Sequence, residues 1–205
     1  YNFGKMALVL QDKLEESEHL PRTAFTSAAT SQHYMESLRD TFEPLLNAYK
    51  RALENGDLEF GGTNSGVYGY HLFFSGRNLV DVSSELTYYT EVLEQIKQDA
   101  YLGYLRLYLQ VAKNLLGEAK HPWTINGSVA KLDDYLQLAN DASDGHGIFN
   151  AHLCEGIVRT IGEDYAGAVE HFELAREHQM SASAMVPSLV YHFYAAIART
   201  AYCDF

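Results

Sequence analysis

Histidine is the residue type here with the most latent chemistry, and the chain carries nine. Metal binding needs two or more imidazoles within reach of one ion, so spacing decides. His171 and His178 are seven residues apart on one predicted helix. That is about 10.5 Å along the axis, too far to share an ion. His146 and His152 point to different helix faces, as do His152 and Cys154. No H-E-x-x-H occurs, so the histidines read as structural and no metal is expected. Gly61 and Gly66 have the separation of a phosphate-binding loop. Such a loop needs Lys and Ser/Thr directly after its second glycine, and here Val67-Tyr68 follow. No nucleotide or other cofactor is therefore expected. The carboxylate pairs Asp133-Asp134 and Glu15-Glu16 fall at helix ends or on solvated faces, without an enclosure to perturb them. Ser, His and Asp occur without a nucleophile-elbow turn. The residues predict a segment that is not an enzyme.

What remains is recognition chemistry. The chain has 15 tyrosines, and Tyr combines a large apolar ring with one polar tip suited to holding a peptide. Tyr68, Tyr70, Tyr101, Tyr104 and Tyr108 lie on consecutive predicted elements that could line an inner groove; the alternative is that they are core aromatics. Trp123, the only tryptophan, sits in a predicted loop as either a plug over a helix groove or a contact for a neighbouring domain. These six are the candidate protein-contact residues.

The elements that would position them are helical throughout. Apolar residues recur with the 3.6-residue period and no segment alternates as a strand. Helices are expected at about 3–16, 23–34, 36–54, 58–75, 79–98, 101–116, 131–142, 145–161 and 165–178. A last one starts between Ser183 and Pro187 and runs to the chain end. The first presents Phe3, Met6, Ala7, Leu10 and Leu14 on one face. Asn55-Gly56-Asp57 stops the third, with Gly56 suited to the left-handed cap. The fourth contains Gly61, Gly62, Gly66 and Gly69, and each internal glycine costs about 1 kcal/mol relative to Ala. The helix holds only if neighbouring helices pack closely against the bare face, or it breaks partway; a weak middle, and a hinge, are expected there. In the segment 101–116 and in the last helix most of the circumference is apolar, so each is expected to be covered on several sides. Residues 117–130 form a long loop.

Composition sets the outer limits. With 47% hydrophobic residues the chain can bury a core and is not a disordered polymer. Asp and Glu total 27 against 15 Lys and Arg, a net charge of −12. The basic residues never cluster, which argues against nucleic acid as a partner. No apolar run approaches the ~18 residues of a membrane span. Two cysteines, Cys154 and Cys203, make no disulfide framework, which predicts buried free thiols in a reducing, cytoplasmic setting. The chain opens at Tyr1 without an initiator Met and reads as a piece of a larger polypeptide.

Gly162, Glu163, Asp164, Tyr165, Ala168, Phe172 and Ala175 read as a turn followed by the second helix of a helix-turn-helix repeat. With Gly156 at the first-helix glycine and Ala168 and Phe172 as the A-x-x-x-F step, residues 156–175 resemble a tetratricopeptide unit. His152, Glu155, Arg159 and Met180 depart from that pattern. A longer resemblance rests on Ala48 to Phe60 (AYKRALENGDLEF), His71 to Leu79 (HLFFSGRNL), Tyr108-Leu109-Gln110, Asn114 to Gly117, Pro122-Trp123 and His192-Phe193-Tyr194. In order and spacing these resemble the helical-repeat region of large multidomain signalling proteins. Those proteins carry Ser/Thr protein kinase, AAA-type ATPase, GAF and histidine kinase domains. The resemblance implies an all-α, tetratricopeptide-like α-solenoid of antiparallel helix pairs, open at both ends and spanning residues 1–205 as one array. A weaker division falls at 1–116 and 131–205, joined by loop 117–130. It also implies a non-catalytic regulatory or scaffolding segment, whose partners are the flanking domains. A stand-alone adaptor holding a peptide in its concave face is the alternative.

Overall fold

The computed structural model describes residues 1–13 and 18–203; the expected Leu14 and the Glu15-Glu16 pair lie outside the described residues, as does the expected run of the last helix to the chain end. The described residues form ten α-helices and no strand. They are α1 (Asn2–Lys13), α2 (Leu20–Thr30), α3 (Phe42–Glu54), α4 (Leu58–Phe74) and α5 (Leu79–Gln95). Then follow α6 (Asp99–Leu115), α7 (Leu132–Asp141), α8 (Gly145–Ile161), α9 (Tyr165–Glu177) and α10 (Val186–Cys203). Short 3-10 turns cover Gln32–Tyr34, Leu38–Thr41 and Gln179–Ala182. No helix of the described residues is long and apolar enough to cross a membrane.

One turn recurs between helices. At Asp57, Asp144 and Asp164 the carboxylate accepts the amide of the residue three positions on, Phe60, Gly147 and Gly167 respectively. This is an aspartate N-cap. The backbone N–H of the same aspartate donates to the carbonyl five residues back, on Ala52, Ala139 and Arg159, at 2.8–2.9 Å. The residue between, Gly56, Ser143 or Glu163, has positive φ. A left-handed helix stop is thus fused directly to the next helix start. Only Gly56 adopts that conformation without a Cβ penalty.

The chain divides into two compact units, Tyr1–Asn78 with Thr87–Leu105, and Leu79–Leu86 with Arg106–Phe205. In the first, α2 packs on α1, α3 and α4, and α3 packs on α4. Its core joins Leu45, Ala48 and Ala52 of α3 to Tyr68 and Leu72 of α4. The Tyr68 ring meets Phe42 and Tyr89 edge-on, at 5.2 and 5.3 Å between centroids. In the second unit α8 packs on α7, α9 and α10, and α9 on α10. Phe149, Phe172 and Tyr191 form its aromatic centre.

The glycine-rich helix meets the condition set for it, close packing against its bare strip. α4 runs unbroken, and every residue from Gly61 to Leu72 is buried. The reason is the ring of Tyr101: a Cβ on Gly62 would lie 2.6 Å from it, and one on Gly66 3.2 Å. The bare strip is a seat for an aromatic ring. Gly156 has the same role for Phe172, whose ring would be 2.6 Å from a Cβ there.

Candidate protein-contact site

Loop 117–130 is anchored by polar side chains from inside the second unit. Asn114 Nδ2 donates to the carbonyls of Pro122 (3.0 Å) and Thr124 (2.8 Å). Gln110 Oε1 accepts the amides of Val129 (3.0 Å) and Ala130 (3.2 Å), and its Nε2 donates to Asn114 Oδ1. Glu155, only 2% exposed, accepts the Ile125 amide at 2.6 Å. Its other oxygen takes Arg159 Nε at 2.8 Å, and Arg159 continues to Asp164. The Gly167 N–H, with Arg159 adding to it, holds the Asp164 carboxyl below its ordinary value. Ile125 is buried beneath the loop, and its carbonyl accepts the Leu132 amide.

This scaffold presents Trp123, which is 44% exposed. One side of the indole lies on Gly162, where a Cβ would come within 2.5 Å of Trp123 Cγ. Ile161, adjacent to Gly162 in the chain, is also exposed. An aromatic anchor already fixed in place loses little conformational freedom on binding, which is the arrangement that concentrates energy at interfaces.

The tyrosines divide by burial. Tyr68, Tyr70 and Tyr108 are inside, at 3% exposure or less. Burial raises the Tyr70 phenol well above its ordinary value. The Tyr108 hydroxyl donates to Asn150 Oδ1 at 2.5 Å. Tyr101 and Tyr104 are half-buried neighbours with centroids 5.8 Å apart. The Tyr101 hydroxyl shares a 2.6 Å hydrogen bond with Thr63. Tyr68, Tyr70, Tyr101 and Tyr104 belong to the first unit, Tyr108 and Trp123 to the second.

Single-helix spacing missed two features. His152 and His171, 19 residues apart, meet across α8 and α9 with their Nδ1 atoms 3.0 Å apart. Burial, then the neighbouring His171 and His178, pushes His152 down to about 4. Among the described residues no group of three or more His, Cys, Asp or Glu side chains could hold a metal ion. The second feature is the loop anchor itself. Its signal was present as Gln110, Asn114 and Glu155, polar residues on otherwise apolar helices. Of the two free cysteines, Cys154 is buried and Cys203 exposed, so the expectation of two buried thiols holds for Cys154 alone. Comparison with protein-family models, with curated proteins and with solved structures gives no match.

Proposed function

We propose that this chain is a non-catalytic scaffolding segment, an open tetratricopeptide-like array of antiparallel helix pairs. It couples an ATPase or kinase module to an output domain within one multidomain cytoplasmic signalling protein. The supporting observation is the recurrent stop-and-start turn at Asp57, Asp144 and Asp164. A turn reused between successive helices that pack on each other, α3 on α4, α7 on α8 and α8 on α9, is how repeat proteins extend a surface. The anchored Trp123 supplies one place on that surface where a partner gains affinity.

Reading the coding frame on either side tests the assignment. It predicts a G-x-x-x-x-G-K-[ST] loop upstream and a GAF, histidine kinase or similar output domain downstream. In that protein, Trp123→Ala lowers output while the ATPase rate stays at its original value. A short frame closed by polar-faced capping helices would replace this reading with the peptide-binding adaptor. Unaltered output in a folded Trp123→Ala protein removes the loop from the coupling role.

A further inference from the structure

Two imidazoles inside the first unit are fixed in the same tautomer. Half-buried His33 lies in the 3-10 turn after α2, and fully buried His71 lies in α4. His33 Nδ1 is 3.1 Å from the Ala28 carbonyl oxygen. A carbonyl only accepts, so Nδ1 carries the proton and Nε2 is a bare lone pair. Thr41 Oγ1 lies 2.6 Å from the Leu38 carbonyl and 2.7 Å from His71 Nδ1. The single hydroxyl proton goes to the carbonyl, so Thr41 accepts from His71 Nδ1–H, and His71 Nε2 is bare as well. Both Nε2 atoms are buried and meet no hydrogen-bond partner among the described residues. The two rings are 5.8 Å apart between centroids, with planes at 67°.

Buried acceptors without a donor are rare enough to demand a reason, and an ion is one. We propose that His33 and His71 form a two-coordinate site for a singly charged copper ion, Cu⁺, bound through both Nε2 atoms. Metal-ligating histidines commonly give their other N–H to a nearby oxygen, which sets tautomer and orientation; here Ala28 and Thr41 do so. Metal–imidazole bonds of about 2 Å place two rings on opposite sides of one ion about 6 Å apart between centroids, and the observed separation is 5.8 Å. Charge selects the ion. The two donors are neutral, and no third His, Cys, Asp or Glu ligand completes the set among the described residues. Glu36, nearby in sequence, is already engaged by Lys5, Tyr1 and Gln32. A divalent ion would bring more charge than this pocket offsets and would lack its usual four ligands. Imidazole suits copper, and a single charge is less costly to bury. Burial also holds both rings neutral, so the lone pairs are free at neutral pH.

The test uses the full chain carrying Cys203→Ser, because the exposed thiol would compete for copper. Anaerobic titration with Cu⁺ against a chromophoric chelator is expected to show one equivalent bound, at micromolar Kd or tighter. His33→Gln and His71→Gln each weaken binding at least tenfold, while His152→Gln leaves it unchanged. A measurement on unmutated histidines guards against loss of fold: long-range ¹H–¹⁵N spectra with one equivalent of Ag⁺, a redox-inert stand-in. Two Nε2 resonances are expected to move while both Nδ1 atoms keep their protons. Unmoved Nε2 resonances, as for a pair bridged only by a water molecule, overturn the proposal. So does binding retained in a folded His33→Gln chain or lost in Cys154→Ala.

Discussion

Gly62→Ala sets two known effects against each other inside α4. In an exposed helix the change gains about 1 kcal/mol, because alanine restricts the unfolded chain and suits the helix. Here the new methyl would lie 2.6 Å from Tyr101 Cδ2 and 3.2 Å from Gln98 Cβ and Cγ. The ring atom is not the loose end of a flexible chain. Relief requires Tyr101 to swing away, breaking its bond to Thr63 at about 1 kcal/mol and uncovering the buried strip. Overpacking of this kind costs typically 1–3 kcal/mol, so the net expectation is a loss of about 1–2 kcal/mol. In urea denaturation the midpoint falls, and Tm drops by about 2–4 °C for each kcal/mol in a chain of this size. The sign depends on Tyr101. In a Tyr101→Ala background the same substitution is expected to stabilise by about 1 kcal/mol, giving a coupling of roughly 2–3 kcal/mol in the double-mutant cycle. Gly61→Ala, whose nearest neighbour is the flexible Leu53 Cδ2 at 3.1 Å, is the control and stays near neutral. A Gly62→Ala chain as stable as the original, or more so, would refute the seat-for-a-ring account.

Acid is expected to destabilise the chain in a defined window. Burial lowers His33 below its ordinary value and His71 to about 3. Below about pH 6.5 the unfolded chain takes up protons that the native state refuses. Stability falls toward pH 3 by up to about 1.4 kcal/mol per pH unit through His71, with His33 acting in the same direction; His71→Gln flattens that slope in urea titrations at stepped pH. Glu155→Gln keeps the shape but weakens a charged acceptor for the Ile125 amide. The expected cost is about 1–3 kcal/mol, with faster proteolysis inside 117–130 than in the original chain. Amide exchange over α4 is expected to be as slow as over α8, since both are buried along nearly their whole length; faster exchange confined to 61–69 would restore the hinge reading.

Periodicity in the sequence was sufficient for the helices. Leu58–Phe74 and Gly145–Ile161 fall within a residue of their expected limits, because helix stops and caps are local: Gly56 and the aspartates act on their own backbone. The boundary after α2 was less legible. The stretch expected as one helix from Glu36 begins with a 3-10 turn, and only Phe42–Glu54 is α-helical. Ser37 there makes a capping box with Asp40.

What sequence could not supply is which residues meet across helices. Four glycines in one helix predict weakness when only propensity is counted; in the tertiary structure Tyr101, 35 residues or more away in the chain, fills the strip that Gly62 and Gly66 leave. Histidine spacing along single helices excluded chelation, yet pairing arises between helices at His33 and His71 and at His152 and His171. Burial likewise sorted the aromatic residues, putting Tyr68, Tyr70 and Tyr108 in the core and leaving Trp123 with one side on Gly162 and the other exposed. Local backbone chemistry is written in neighbours along the chain, so sequence alone determined the all-helical character. Side-chain chemistry depends on neighbours in space, and those only the packed structure decided.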